Sequence, residues 1–189
     1  LKEGGEWYIA DVVSDRRIPS AVRDDADLVA ECLGGAAYAE DLRRTCAEAG
    51  FPYIWEVDRK LIPSDSVEQG LGEKVGFWSV VWRAVKLTQP ETIDGQTWAP
   101  LERTCEDYGQ HATYLGTVGT APAAFALDAE HIFETDRPTA VCRNTANILR
   151  FGRLAQHFEV TAPRKHFGLF ECAPTPAAGG DANPLGACC

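Results

Sequence analysis

The sequence predicts a mainly β protein, and three features of its 189 residues point that way. Short segments rich in β-branched and aromatic residues recur after residue 50, with turn residues between them. Residues 21–49 instead repeat their apolar side chains at helical spacing. The last stretch, 173–189, is rich in Ala, Gly and Pro. We therefore expect one domain over 1–172 built as an antiparallel β-barrel or sandwich, a short helical insertion over about 21–49 after the first strand, and an extended tail over 173–189.

The first strand and the helical insertion are the clearest elements near the start. Residues 7–13, WYIADVV, follow the turn signal Gly4-Gly5 and predict a strand. In 21–49 the helically spaced residues are Leu28, Cys32 and Leu33, and then Tyr38, Leu42 and Cys46. Because Gly34-Gly35 divides the segment, it predicts two short helices with Cys32 and Cys46 on their buried faces. Packing and disulfide bonding remain alternatives for these two thiols.

Strands are predicted through the rest of the folded part. Residues 51–57 form one, and 74–87 form another in which apolar side chains occupy both alternating faces. The second strand is therefore expected to be buried on two sides, or to face an apolar interior on one. Asp94-Gly95 is a hairpin signal. The remaining predicted strands are 112–117, 124–128, 131–135, 139–143 and 156–162.

Charge and cysteine content narrow the class of protein. With 28 acidic and 18 basic residues the net charge is −10, which argues against a nucleic-acid partner. No window is apolar enough for a membrane span. Seven cysteines without a CxxC favour disulfides in an oxidising compartment, either extracytoplasmic or an organelle lumen, over a metal site. The disulfide candidates are Cys32, Cys46, Cys105, Cys142, Cys172, Cys188 and Cys189.

Three separated motifs resemble those of the lipocalins. Gly5-Glu6-Trp7 opens the first strand as a G-x-W motif, Thr135-Asp136 matches a T-D motif, and Arg164 follows the last predicted strand. The resemblance implies a barrel whose end is closed by Trp7, with the Arg164 guanidinium over the indole. Such a cation–π contact is worth about 0.5–2 kcal/mol.

The aromatic residues of the strand-rich part either fill a core or line a ligand cavity. If they line a calyx, the side chains expected to face the ligand are Phe77, Trp78, Val80, Trp82 and Tyr114. A carotenoid, another pigment, a retinoid or a lipid would suit such a cavity. The sequence assigns no cofactor with certainty and no metal.

Three functional hypotheses follow, and a non-catalytic protein is favoured. The first is a carrier of a small hydrophobic molecule. The second is a structural subunit of a larger, photosynthetic or membrane-associated assembly that docks other subunits through 173–189 and 21–49. The third is a lipocalin-type enzyme such as a carotenoid de-epoxidase. No G-x-G-x-x-G, P-loop, G-x-S-x-G or H-E-x-x-H motif is present, so no catalytic residue is assigned, and Glu102 with Glu106 is interpreted as a solvated acidic face.

Overall fold

The computed structural model describes residues 1–63, 75–93, 95–128 and 130–171. Its helices are α1 (Ser20–Arg23), α2 (Ala26–Ala30), α3 (Ala39–Glu48) and α4 (Arg143–Phe151), with a 3₁₀ turn at Ala155–His157. Its strands are β1 (Glu6–Ser14), β2 (Ala37–Tyr38), β3 (Ile54–Ile62), β4 (Phe77–Val85), β5 (Glu91–Ile93), β6 (Gln96–Trp98), β7 (Glu106–Asp107), β8 (Gln110–Tyr114), β9 (Ala124–Ala126), β10 (Ile132–Glu134), β11 (Thr139–Val141), β12 (Phe158–Val160) and β13 (Gly168–Leu169). No described helix has the length and apolar character needed to cross a bilayer.

The largest sheet has four strands in the order β2-β1-β4-β3. Strand β4 lies in its centre and pairs antiparallel with β1 from Phe77 to Val85, and with β3 on its other side. Only two residues of β1, at its carboxyl end, pair with β2. The rest of that edge of β1 has no partner among the described residues, and Tyr8 and Ile9 on it are exposed.

Both faces of β4 are covered, as its alternating apolar residues predict. Val80, Trp82 and Ala84 are fully buried on one face, where they meet α3. On the opposite face, Phe77 belongs to a cluster with the first two helices, and Val85 to another that includes a residue of α4. The two-sided burial of this strand is confirmed, and the reason is that different segments cover its two ends.

Helix α3 packs through one stripe of small and apolar residues. Ala39, Leu42 and Cys46 recur at spacings of three and four, and all three contact the cluster around Trp82. Trp7 joins the same cluster, with its ring edge-on to Phe51 at 5.8 Å. The stretch 20–48 thus contains three short helices, where two were predicted, and all three pack on the four-stranded sheet.

The remainder of the described chain forms a second layer of small sheets around α4. Strand β8 is the centre of a three-stranded sheet in the order β11-β8-β12, and β9 pairs with β10. The core of this layer comprises Tyr114, Phe133 and Phe158, together with Ala146 and Leu149 of α4. The predicted turn at Asp94-Gly95 joins β5 to β6; Gly95 has φ +77°, and Asp94 lies outside the described residues.

The predicted closed barrel is wrong. The described strands form five separate sheets of two to four strands, and none of these sheets returns to its first strand. Arg164 lies against Phe167 and the carbonyl of Gly109, whereas Trp7 packs on Phe51, so the expected guanidinium–indole contact is absent from the described residues. Alternating strands report which faces are buried but not which strands are neighbours, and the same pattern suits a barrel or a set of open sheets.

Candidate functional site

The four described cysteines range from exposed to fully buried, and no disulfide joins them to one another. Cys32 is an exposed free thiol in the turn after α2, where its backbone has φ +65°. Cys46 is a half-buried free thiol on α3, and burial raises its pKa. Cys105 and Cys142 are buried at 2% and 0% exposure. Cys32 is thus the most exposed of the four described cysteines. The predicted disulfides that involve residues 172, 188 and 189 lie outside the described residues.

The turn that carries Cys32 is held by backbone hydrogen bonds. The amide of Cys32 donates to the Val29 carbonyl at 3.0 Å, and the amide of Gly34 donates to the Leu28 carbonyl at 2.9 Å. A left-handed conformation at a non-glycine residue is uncommon and is retained where the surroundings over-determine it. The thiol is thus presented by a fixed turn, not on the buried helix face that the helical spacing predicts.

The amino end of α4 fastens the loop that precedes β7. The Asn144 side chain accepts a hydrogen bond from the Glu102 amide at 2.8 Å and donates to the carbonyls of Glu102 and Thr104. Cys142 is the N-cap residue of the helix, where its sulfur accepts a hydrogen bond from the amide of Thr145. Because Cys105 follows Thr104 directly, these bonds fasten both buried cysteines to one rigid junction between helix and loop.

An open cleft of about 270 Å³ lies beside that junction. It is lined by Trp98, Glu102, Thr104, Glu106, Tyr108 and His166. In this polar cleft Tyr108 donates from its hydroxyl to Glu102 at 3.3 Å, and His166 contacts Glu106 at 2.7 Å. The Tyr108 and His166 rings lie 5.0 Å apart.

The pKa values of the two carboxyl groups in the polar cleft are shifted in opposite directions. Burial raises the pKa of Glu102, and its Oε2 has no hydrogen-bond partner. The hydroxyl of Thr104 and the ring of His166 lower the pKa of Glu106. Burial and the nearby Glu102 raise the pKa of Tyr108 to about 12. Two neighbouring carboxyls with separated pKa values can serve as a proton donor and a proton acceptor.

Sequence reasoning missed this cleft, although a signal was present. Four lining residues are alternate members of one segment: Glu102, Thr104, Glu106 and Tyr108. Alternate residues of an extended chain share a face, so the spacing places these side chains together. The interpretation of Glu102 and Glu106 as a solvated face did not include His166, which contacts Glu106. No local sequence pattern indicates this contact.

The side chains predicted to face a ligand do not line one cavity. Phe77, Val80, Trp82 and Tyr114 are fully buried and belong to three different clusters. Trp78 is half-buried, with the Arg59 guanidinium 4.2 Å from its ring centre. These residues fill cores, which was the alternative left open by their composition.

The predicted motif residues likewise take local roles. The Gly5 amide donates to the Lys2 carbonyl in the turn before β1. The Thr135 hydroxyl donates to the Pro122 carbonyl at 2.7 Å, and Asp136 adopts φ +60° in the turn after β10. None of these contacts closes the end of a barrel.

The described residues also contain no grouping of three or more His, Cys, Asp or Glu side chains that could hold a metal ion. His131 is paired with Asp128 at 2.8 Å, and His157 contacts the hydroxyl of Thr117 at 2.7 Å. Both histidines therefore take part in local contacts.

Comparison with known proteins identifies a different relationship from the one the motifs suggested. Residues 108–186 match the family model for the arsenite methyltransferase C-terminal domain. The chain is 40% identical over 178 residues to an arsenite methyltransferase of Aquipseudomonas alcaligenes, an alignment that covers 90% of this chain and 47% of that enzyme. An arsenite methyltransferase of Mus musculus is 30% identical over 163 residues, which cover 85% of this chain and 39% of the mouse protein.

A solved structure gives the same relationship. The crystal structure of CrArsM, an arsenic(III) S-adenosylmethionine methyltransferase from Chlamydomonas reinhardtii, superposes with a TM-score of 0.73 at 35% identity. The match covers 90% of this chain and 54% of CrArsM. The chain spans about half the length of these relatives or less.

These similarities overturn the lipocalin assignment and the functions attached to it. They give no support to a secreted carrier of pigment, retinoid or lipid, to a structural subunit of a larger assembly, or to a carotenoid de-epoxidase. The three motifs are short and occur on unrelated folds, which is why they misled. Over nine-tenths of its length the chain is similar to arsenite methyltransferases, and over residues 108–186 to their C-terminal domain.

Proposed function

We propose that this chain is one module of a S-adenosylmethionine-dependent arsenite methyltransferase, and that the module binds trivalent arsenic as substrate through cysteine thiols. The observation that carries the proposal is the 40% identity to an arsenite methyltransferase across 178 residues. The cysteine content agrees with it, because trivalent arsenic is a soft centre and thiolates are the soft ligands of proteins.

Cys32 is the thiol that the geometry favours for first contact with the substrate. It is exposed and fixed in a left-handed turn, whereas Cys46 is half-buried among apolar residues with a raised pKa. Since the thiolate is the form that bonds a soft centre, a thiol with a raised pKa is the poorer ligand. Cys32 and a second thiol would displace two hydroxyls, so that two Cys–SH and As(OH)₃ give a dithiolated As–OH and two waters, without any oxidation or reduction.

The described residues do not fit S-adenosylmethionine itself. A nucleotide-type cofactor is usually bound at the carboxyl edge of a parallel sheet, beside a glycine-rich turn into a helix. Here parallel pairing is limited to the two-residue ladder between β1 and β2 and to one isolated bridge between Tyr114 and Thr135. We therefore assign binding of the methyl donor to the part of the relatives that this chain does not span.

The unpaired edge of β1 is an argument that a second module covers this side of the sheet. Most of this edge lacks a strand partner among the described residues, and it carries exposed Tyr8 and Ile9 at 52% and 43% exposure. An uncovered apolar edge strand promotes aggregation unless another strand or segment covers it. We assign that cover to the module that binds the methyl donor.

Titration of the full chain with arsenite tests the proposal, with S–As absorbance and the mass of the complex as readouts. We expect a stoichiometric complex that consumes two or more thiols, and at least tenfold weaker binding after Cys32→Ser. Cys46→Ser is the matched control and should change the affinity by less than twofold. Failure of the reduced wild-type chain to bind arsenite, or equal losses in the two variants, would contradict the assignment.

A further inference from the structure

Gly34 is buried in the turn after α2, two residues beyond Cys32. We propose that Gly34 is a positioning residue for arsenite binding: it lets this turn close against the helix, and the closed turn fixes the direction in which Cys32 holds its thiol. This role rests on the proposed function, because arsenite is taken as the ligand of Cys32.

The turn ends α2 with the two hydrogen bonds of a Schellman motif. The Leu33 amide donates to the Leu28 carbonyl at 2.9 Å. The Cys32 amide donates to the Val29 carbonyl at 3.0 Å. In this motif the residue with left-handed backbone is usually glycine, because a side chain there is strained. Here that residue is Cys32, at φ +65°, so a cysteine occupies a position whose backbone favours glycine.

Packing of the Cys32 side chain does not compensate for this strain. Cys32 is exposed, whereas its neighbour Leu33 is 2% exposed and belongs to the cluster that contains Phe77. The buried leucine anchors the turn to the sheet, and the cysteine beside it stays in solvent. A strained backbone persists where its surroundings over-determine it, and such outliers cluster at ligand sites.

The closed turn leaves no room for a side chain at residue 34. A Cβ there would lie 2.7 Å from Cγ2 of Val29, 3.0 Å from the amide nitrogen of Val29 and 3.0 Å from the carbonyl oxygen of Val22. Two of these atoms belong to the backbone of α2 and α1, so a side chain at residue 34 would push the turn away from both helices. Around Gly35, the corresponding position has no atom within 4 Å. The requirement for glycine is therefore specific to residue 34.

The direction of the thiol matters because arsenite is bound by more than one sulfur. A single thiol can react from any exposed position, whereas two thiols that replace two hydroxyls of As(OH)₃ must point at one atom. Groups that are already oriented lose less conformational freedom on binding, which raises the affinity. A turn that fixes the Cα–Cβ bond of Cys32 therefore favours chelation, and it has little effect on reactions of the single thiol.

Two measurements on the reduced full chain separate direction from exposure. The first is arsenite titration followed by S–As absorbance, and the second is alkylation of Cys32 by iodoacetamide followed by peptide mass. Gly34→Ala should weaken arsenite binding tenfold or more and change the alkylation rate by less than threefold, because the displaced thiol stays exposed. Gly35→Ala is the matched control and should change both by less than twofold. A fall in alkylation as large as the fall in binding, or equal losses of binding in the two variants, would overturn the positioning role.

A second substitution tests whether the steric contact is the cause. Val29→Ala removes the Cγ2 atom that makes the shortest contact with a Cβ at residue 34. Val29→Ala combined with Gly34→Ala should therefore bind arsenite at least threefold more tightly than Gly34→Ala alone. Binding no tighter than in the single variant would overturn the steric origin of the effect.

Thermal unfolding tests the left-handed turn in variants that keep Gly34. Cys32→Gly should melt about 2–4 °C above Cys32→Ser, because glycine relieves the strain at this position. Equal melting temperatures would overturn the fixed turn on which the positioning role depends. Failure of the wild-type chain to bind arsenite contradicts the proposed function, whereas equally tight binding by wild type and Gly34→Ala overturns the positioning role alone.

Discussion

The ion pair between Arg83 and Glu6 joins the two layers of the fold and permits a quantitative prediction. The Arg83 and Glu6 side chains are 1% and 5% exposed, and Nη2 of the arginine lies 3.0 Å from both carboxylate oxygens. Its Nη1 donates at 2.9 Å to the carbonyl of Leu127, a residue of the second layer's core. One guanidinium thus fastens β4 to β1 and to the other layer.

Arg83→Met should destabilise the protein by about 3 kcal/mol, at the lower end of the roughly 3–5 kcal/mol that breaking a buried pair costs. The lower end applies because Arg153 still contacts Glu6 at 3.0 Å, so the buried carboxylate keeps one cationic partner. Equilibrium urea denaturation measures the change. In a double-mutant cycle, Glu6→Leu with Arg83→Met should cost less than the sum of the two single substitutions, because the double variant leaves neither charge unpaired.

A surface pair of the same chemistry serves as the control. Arg137 and Glu134 are 2.8 Å apart with side chains 69% and 61% exposed, so Arg137→Met should cost less than about 1 kcal/mol. Equal losses in the free energy of unfolding for Arg83→Met and Arg137→Met, or strict additivity in the cycle, would refute the claim that burial makes the Arg83–Glu6 pair more stabilising than an exposed pair.

Two further predictions concern the junction and the polar cleft. Burial raises the pKa of Glu102 above its ordinary value of 4.5, so the stability that Glu102 contributes is present below pH 4.5 and is lost as pH rises through the raised pKa. Hydrogen bonds from Thr104 and His166 lower the pKa of Glu106, so the stability that Glu106 contributes is present above pH 4.5 and is lost as pH falls through the lowered pKa. Relative to wild type, Glu106→Gln should therefore lose more stability at pH 7 than at pH 3, whereas Glu102→Gln should lose less at pH 7 than at pH 4. Chemical denaturation at these pH values measures both losses. If the loss of stability changed with pH in the same direction for the two variants, the assigned pKa shifts would be contradicted. Asn144→Ala should cost about 1–3 kcal/mol by thermal denaturation, because it removes a fully buried side chain together with its hydrogen bonds to the amide and carbonyl of Glu102, and a loss below about 0.5 kcal/mol would contradict this role.

Helix α4 shows why part of the fold was not predictable. Its sequence, RNTANILRF, begins with polar residues, and the predicted strand 139–143 includes its first residue, Arg143. In the structure Arg143, Asn144 and Asn147 are fully buried, and their side chains bind carbonyls of residues 99–104. These polar residues are buried because distant backbone carbonyls accept their hydrogen bonds, and polarity in the sequence indicates a surface position instead.

Local pattern did determine several features of this protein by itself. The alternation in 74–87 left two-sided burial or one apolar interior as alternatives, and β4 shows the first. The Asp94-Gly95 turn signal predicted the hairpin between β5 and β6, because a hairpin turn depends on neighbours within a few residues. Tertiary structure alone decided that the strands form open sheets, that Arg164 sits on Gly109, and that Glu106 meets His166 across 60 residues. Strand period specifies which face is buried, whereas the choice of partner is made by packing and hydrogen bonding between segments far apart in the chain.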